Sequence, residues 1–231
     1  MALTQTFKYR DEWWTKYPAK SGDAFAMGVD LGQSQDHTAI VVMRHTCTPL
    51  DTWKPDYKTH RLNQNVEERF DVVHAERLPL GTSYPAVVGH VDELLARQPL
   101  SDGCDLVIDE SGVGRAVGDL VEAAGLNPTR VTITAGSDAV REKGRWHVSK
   151  SLLVSGVDAA LHSGELRFAA ELQEASALAE ELKEFRRHTT AAGRALYQAR
   201  AGRHDDLVLA VALCIWWARE RLKHRVIVSF Y

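Results

Sequence analysis

The chain lacks several features that would place it at once. No basic segment followed by an apolar core opens it, so a secretory leader is not indicated. Its longest apolar run, Leu207 to Ala218, is too short to cross a bilayer. A soluble, cytoplasmic protein with no membrane partner is therefore expected. Cysteine is scarce, and Cys47, Cys104 and Cys214 form no CxxC pair. A disulfide framework is excluded on that count, and two of the three read as small core residues in a reducing compartment. Net charge is only −3, so neither a basic nucleic-acid coat nor an acidic disordered tail is present. Nucleic acid stays admissible, because charge distribution matters more than its sum. There is no internal repeat and no low-complexity tract. The 231 residues, 45% of them hydrophobic, suffice for one sizeable domain with a substantial core.

What is present is a set of acids at the ends of apolar segments. Asp30 closes the run that begins at Ala24, and Asp109 closes CDLVID, with Glu110 next to it. Asp205 and Asp206 open the apolar stretch DDLVLAVALCIWWA. The nearly continuous apolar run 24–31 marks a strand buried on both faces. Residues 38–44 and 69–78 follow as strands, which makes an antiparallel meander. Thr46 to Asn65, polar and proline-containing, reads as a loop or insertion. Helical and strand patterns then alternate: a helix over 85–97, a strand over 105–109, a helix over 114–124 and a strand over 130–134. Such alternation implies parallel strands with right-handed crossovers. Residues 135–146 read as a charged loop. Helices are expected over 149–161, 171–185 and from Asp205 to about Leu222, with an edge strand at 195–199. The fold class is therefore an α/β mixed sheet, three antiparallel strands and then parallel ones, with helices on both faces. Residues 1–23 read as a leader or linker, 24–225 as the domain, and 226–231 as a tail.

In that arrangement Asp30 and Asp109 end neighbouring strands at the sheet edge where α/β proteins place their sites. Clustered carboxylates repel one another and lose hydration, and divalent cations relieve both penalties. Phosphodiester hydrolysis is served by two such ions about 3.5–4 Å apart, one activating water and one stabilising the leaving oxygen. Mg²⁺ or Mn²⁺, two ions, would be held by Asp30 as bridging ligand, by Asp109 or Glu110, and by Asp206 or Asp205. Asp36, just past the first turn, is an accessory candidate. Taken singly each acid has a plainer reading: Asp30 as a turn former, Asp109 as a cap for the next helix, Asp205 as a helix N-cap and Asp206 as a partner of the helix dipole. Their conjunction favours the site. An acid pocket needs cations nearby to admit DNA. Lys143, Arg145 and Lys150 supply one basic group, and Arg200, Arg203 and His204 lead into Asp205. These are candidate phosphate contacts, expected to give salt-sensitive, sequence-tolerant binding. Each has a solvated surface as its plainer reading.

The segments DLGQSQDHTAI (30–40), VIDESGVG (107–114) and GRHDDLVLAVAL (202–213), in that order, resemble the nuclease domain of the large terminase subunit of tailed bacteriophages and prophages. HVSKSLLVSGVDAALHSGELRFA (147–169) is also similar, and the likeness extends from Ala24 to Ala218. The HDDLVLA ending is its most specific part. The resemblance implies the ribonuclease H-like fold, shared with Holliday junction resolvases and many transposases. It implies metal-dependent cleavage of double-stranded DNA during genome packaging in the bacterial host cytoplasm. It places metal ligation and catalysis on Asp30, Asp109 and Asp206, with Asp36 and Asp205 beside them. An ATPase motor domain, the portal and the small terminase subunit are the partners implied. Large terminases carry a phosphate-cradling loop, GxxxxGK followed by Ser or Thr, and this chain has none. It is thus expected to be an excised nuclease domain or a stand-alone nuclease.

Other readings of the same residues are weaker. A junction resolvase or transposase-like enzyme would share the acids. An actin or sugar-kinase-type ATP-binding domain would explain Asp30-Leu31-Gly32, but needs a second glycine-rich loop and a longer chain. A dinucleotide binder would use Gly112, Gly114 and Gly118, yet the spacing is GxGxxxG and no acid ends the following strand. A non-catalytic scaffold, with Trp13, Trp14, Trp216 and Trp217 as a partner surface, leaves the acids unexplained.

Overall fold

The computed structural model describes residues 4–32, 36–112, 115–191 and 205–225. Among the described residues, ten strands and five α-helices follow in the order β1 (Gln5–Tyr9), β2 (Glu12–Tyr17), β3 (Gly22–Asp30), β4 (Ala39–Asp56), β5 (Arg61–Arg77), α1 (Tyr84–Leu95), β6 (Cys104–Asp109), α2 (Arg115–Ala123), β7 (Thr129–Thr134), β8 (Ala139–Glu142), β9 (Arg145–Ser149), α3 (Lys150–His162), β10 (Leu166–Phe168), α4 (Ala175–Ala191) and α5 (Asp206–Arg225). One sheet runs in the order β1-β2-β5-β4-β3-β6-β7-β9-β8, and β10 pairs with β5. Strands β3, β4 and β5 form the antiparallel meander, while β6, β7 and β9 continue the sheet in parallel from β3. Strand β3 is central, as its unbroken apolar run requires.

The two faces are covered by different helices. Along β3 the side chains alternate. Met27, Val29 and Leu31 enter a core with Val87, Val88 and Val91 of α1 and Val117 and Val121 of α2. Ala26 enters the other core, with Leu153 and Val157 of α3, Leu178 and Leu182 of α4, and much of α5. Helix α5 is apolar around most of its first half because it packs on the sheet and is itself covered by α3 and α4. Among the described residues no helix is long and apolar enough to cross a membrane.

Three segments differ from the expectation. Residues 46–65 are not a loop: β4 and β5 extend through them as a long hairpin. Pro49 and Pro55 stay in register, opposite Val66 and Leu62, and the register shifts between Pro49 and Trp53, away from the buried ladder. Residues 135–146 also form structure, since β8 and β9 make an antiparallel hairpin on the sheet edge. In the stretch read as a leader, β1 and β2 pair with each other, and β2 then lies parallel to the start of β5. These strands are short of core-facing residues, so hydrophobic periodicity does not mark them; long-range pairing creates them. The edge strand expected at 195–199 lies outside the described residues.

Candidate active site

Asp30 and Asp109 are register partners at the ends of parallel strands β3 and β6. Period-two alternation sets their direction. Ala26 faces α5, and so do Gly28 and Asp30, two and four residues further on. Ile108 faces the other core, which turns Asp109 toward α5 as well.

The approach of α5 depends on Gly28. A Cβ built there would lie 2.2 Å from the Ala210 carbonyl oxygen and 2.9 Å from Cys214 Sγ. Only a residue without a side chain admits the helix backbone so closely. Cys214 Sγ lies 3.6 Å from the Ala26 carbonyl oxygen, so α5 runs antiparallel to β3. Two residues up β3 from Gly28 is Asp30, roughly 7 Å along the strand. Four residues back along α5 from Ala210 is Asp206, roughly 6 Å along the helix axis. The two displacements match in direction and length, which carries Asp206 to the level of Asp30.

Burial and charge act strongly on these groups. Asp109 and Asp206 are 7% and 6% exposed, whereas Asp30 and Asp205 are half-buried. Loss of hydration, then the charges of Asp109, Asp206 and Asp205, hold the Asp30 carboxyl well above the usual carboxylate range; Lys150 opposes them. Desolvation also raises Asp109, against its hydrogen bonds from the Ser111 hydroxyl and backbone N–H. Lys150 Nζ donates to Asp205 Oδ2 at 2.8 Å. It stands at the head of α3, where Ser149 caps the helix by accepting from Leu152 N–H. Lys150 therefore belongs to the acid pocket itself.

The other expected residues are distributed differently. Glu110, one residue past Asp109, turns to the opposite face and accepts from Arg130 Nε, while Arg145 Nε stands 3.7 Å from it. Arg130 also reaches Asp119 and Glu122 of α2. Gly118 explains how that pair fits: a Cβ there would strike both Glu110 Oε1 and Arg130 Nη2. Glu110 is thus engaged in a buried ion pair behind the sheet, not gathered with the pocket acids, and Arg145 is tied to it. Asp36 is exposed at the bend leading into β4. Lys143, at φ 46°, is exposed in the β8–β9 turn. Arg200, Arg203 and His204 lie outside the described residues.

Breaking the ion pair behind the sheet should destabilise the protein rather than empty the pocket. Glu110→Gln is expected to cost about 3 kcal/mol, since one member of a buried pair is neutralised. A urea melt would show the loss, and calorimetric titration with Mn²⁺ on the folded variant should show binding unchanged.

One pocket residue has no counterpart among those expected. Glu181 of α4 is buried, accepts from Val208 N–H at 3.0 Å and is ion-paired with Arg77 at the end of β5. Burial pushes its carboxyl up to about 7; Val208 N–H and Arg77 pull it down, and Asp206 and Asp205 push it further up. It fastens the N-terminal turn of α5 to α4 and β5, and so holds Asp206 in place. A signal was present: Glu181 falls between Leu178 and Leu182, on the apolar stripe of its own helix.

The donor set suits hard divalent cations, being carboxylate oxygens without sulfur or imidazole. The raised proton affinity of Asp30 follows first from burial and then from the neighbouring carboxylates, and a bound divalent cation would oppose both. Among the described residues, the group of metal-binding side chains whose ligand atoms all lie within 4.8 Å of one another is elsewhere, so these acids are spread more widely than that.

No protein-family model and no curated protein matches the chain. Among solved structures, the large terminase nuclease from thermophilic phage G20c is similar with 20% identity and a TM-score of 0.51, over 83% of this chain and 81% of that one. A weaker likeness, on which nothing rests, is to the human cytomegalovirus terminase nuclease domain, at 14% identity and a TM-score of 0.49 over 88% of this chain and 87% of that one. The mixed sheet, its strand directions and its helices on both faces make this the ribonuclease H-like fold in the form that the phage terminase nuclease has.

Proposed function

We propose that the chain is a metal-dependent endonuclease that cleaves double-stranded DNA in phage genome packaging. The observation that carries this reading is the meeting of Asp30, Asp109, Asp205 and Asp206 at one end of β3, β6 and α5. The fold, shared with a phage terminase nuclease, supports it independently. Asp30, Asp109 and Asp206 are the catalytic ligands, with Asp205 beside them. Mg²⁺ or Mn²⁺, as two ions, would supply activation of water and stabilisation of the leaving oxygen. Asp30, on which the charges of Asp109, Asp206 and Asp205 all act, would be the ligand shared between the ions. Lys150 holds Asp205 and balances the charge of the pocket. Ser111 fixes the Asp109 carboxylate by two hydrogen bonds, and Glu181 anchors the helix that carries Asp206.

Phosphate contacts fall to Lys143 on its exposed turn and to Arg200, Arg203 and His204, which precede Asp205 in the chain. The natural setting is the cytoplasm of a bacterial host, with an ATPase motor domain, portal and small terminase subunit as partners. Residues 24–225 would form the nuclease domain, with flanking segments 1–23 and 226–231.

Supercoiled plasmid incubated with the purified chain and Mn²⁺ is expected to become nicked and then linear, and EDTA to stop the reaction. Raising salt should slow cleavage steeply, because phosphate contacts release counterions. Plasmid left intact across Mg²⁺ and Mn²⁺ concentrations, by a folded preparation, would refute the reading.

A further inference from the structure

A second group of metal-binding side chains lies at the far end of the sheet. His45 and Cys47 alternate onto one face of β4, and Glu68 of β5 is the register partner of Cys47. Ala39, opposite Asp30, lies six residues before His45 on β4, so the group is about 20 Å from the acid pocket. His45 and Cys47 are 2% and 7% exposed. The Glu68 side chain is 18% exposed, which leaves a route from solvent. His45 Nε2 stands 2.9 Å from Glu68 Oε1 and 3.3 Å from Cys47 Sγ. The three ligand atoms all fall within 4.8 Å of one another.

One nitrogen cannot serve both neighbours well. Protonated, it donates to the carboxylate and leaves sulfur as a poor second acceptor; bare, it repels the carboxylate. A cation in the middle satisfies all three at once. In a tetrahedral Zn²⁺ site, with bonds of about 2.0–2.3 Å, ligand atoms sit roughly 3.3–3.7 Å apart. The two separations from His45 need lengthen by only a few tenths of an ångström to reach that, and the Cys47–Glu68 pair is within 4.8 Å. The ligand types narrow the metal: thiolate and imidazole favour zinc over magnesium or calcium. A thiolate and a carboxylate also neutralise a divalent charge. The surroundings brace the ligands. His45 stacks on Phe70 at 4.7 Å between ring centroids, and Arg219 of α5 reaches both Glu68 and Glu165.

We propose that His45, Cys47 and Glu68 form a Zn²⁺ site, with a fourth position left for water, that ties β4 to β5 beneath the C-terminal half of α5. The proposal does not depend on the nuclease reading, because the acid pocket contains no sulfur. Cobalt(II), a spectroscopic stand-in for zinc, therefore separates the two sites. The 231-residue chain is stripped with chelator and titrated with Co²⁺ in the Asp30→Asn background. A near-ultraviolet thiolate-to-cobalt absorption is expected to rise to saturation at one equivalent. Cys47→Ser should abolish it and Cys104→Ser should leave it intact. Glu68→Gln should weaken the affinity at least about tenfold. Zn²⁺ in excess should raise the melting temperature by roughly 5 °C or more, and not in Cys47→Ser. No absorption in the parent protein, or absorption unchanged by Cys47→Ser, overturns the site. If Cys47→Ser does not fold, the parent titration and Glu68→Gln decide alone: a Glu68→Gln affinity equal to the parent's also overturns it.

Discussion

Asp30→Asn is expected to lower DNA cleavage by at least about a thousandfold while leaving the protein equally or more stable without metal. Both effects come from one carboxylate. Removing it takes away the carboxylate proposed above as a shared metal ligand. It also takes away a negative charge that lost its hydration on burial and faces Asp109, Asp206 and Asp205. The sign follows from linkage. The folded-state pKa of Asp30 is raised above its unfolded value. Its favourable contribution is therefore complete below about pH 4, the unfolded carboxylate value, and is lost as pH rises through the folded value. Asparagine has no such loss. In EDTA the melting temperatures of variant and parent should be close near pH 4 and diverge in favour of the variant toward pH 8. Added Mn²⁺ should reverse the order, because the cation binds the parent's folded form. Melts with and without metal, beside a plasmid assay, measure all of this. A variant that still cuts, or one that is less stable in EDTA at neutral pH, would defeat the site as described.

Gly28→Val tests the placement of α5 rather than the acids. Its new side chain would begin 2.2 Å from a backbone oxygen of α5, and backbone cannot step aside without moving the helix. Overpacking of this kind typically costs about 1–3 kcal/mol, so a fall in melting temperature of roughly 5 °C or more is expected. Cleavage by the fraction that remains folded should drop further, by about a hundredfold, because a shift of about 1 Å in a reacting group is enough. Gly89→Ala is the control. Gly89 lies within α1, where a Cβ meets nothing within 4 Å, and alanine is the better helix former. That variant should melt at the same temperature or slightly higher and cut normally. Full activity in Gly28→Val would mean that the close approach of α5 to β3 at Gly28 does not set the position of Asp206.

Segments with dense apolar content were readable without coordinates. The run 24–31 announced a strand buried on both faces, and β3 lies in the middle of the sheet with a core on either side. The stripes of α1 and α4 likewise marked their buried faces. Thr46 to Asn65 failed because its strands gain little from burial. They exist through pairing with each other, and pairing has no local signature when the residues are polar. Residues 135–146, read as a loop, failed for the same reason, with Lys143 and Gly144 making the turn between β8 and β9.

The distinction extends to the acids. Sequence alone placed Asp30 and Asp109 at strand ends and Asp205 and Asp206 at a helix start, because apolar periodicity stops at each of them. It could not separate Asp109 from Glu110. Adjacent residues on a strand point to opposite faces, and which face meets α5 depends on how the sheet packs. Only the tertiary structure assigned Asp109 to the pocket and Glu110 to Arg130. It alone brought Glu181 beside Val208, and His45 and Cys47 beside Glu68. The local pattern is governed by burial, which every residue carries in its own chemistry. Juxtaposition is governed by register and helix packing, which belong to pairs of segments far apart in the chain.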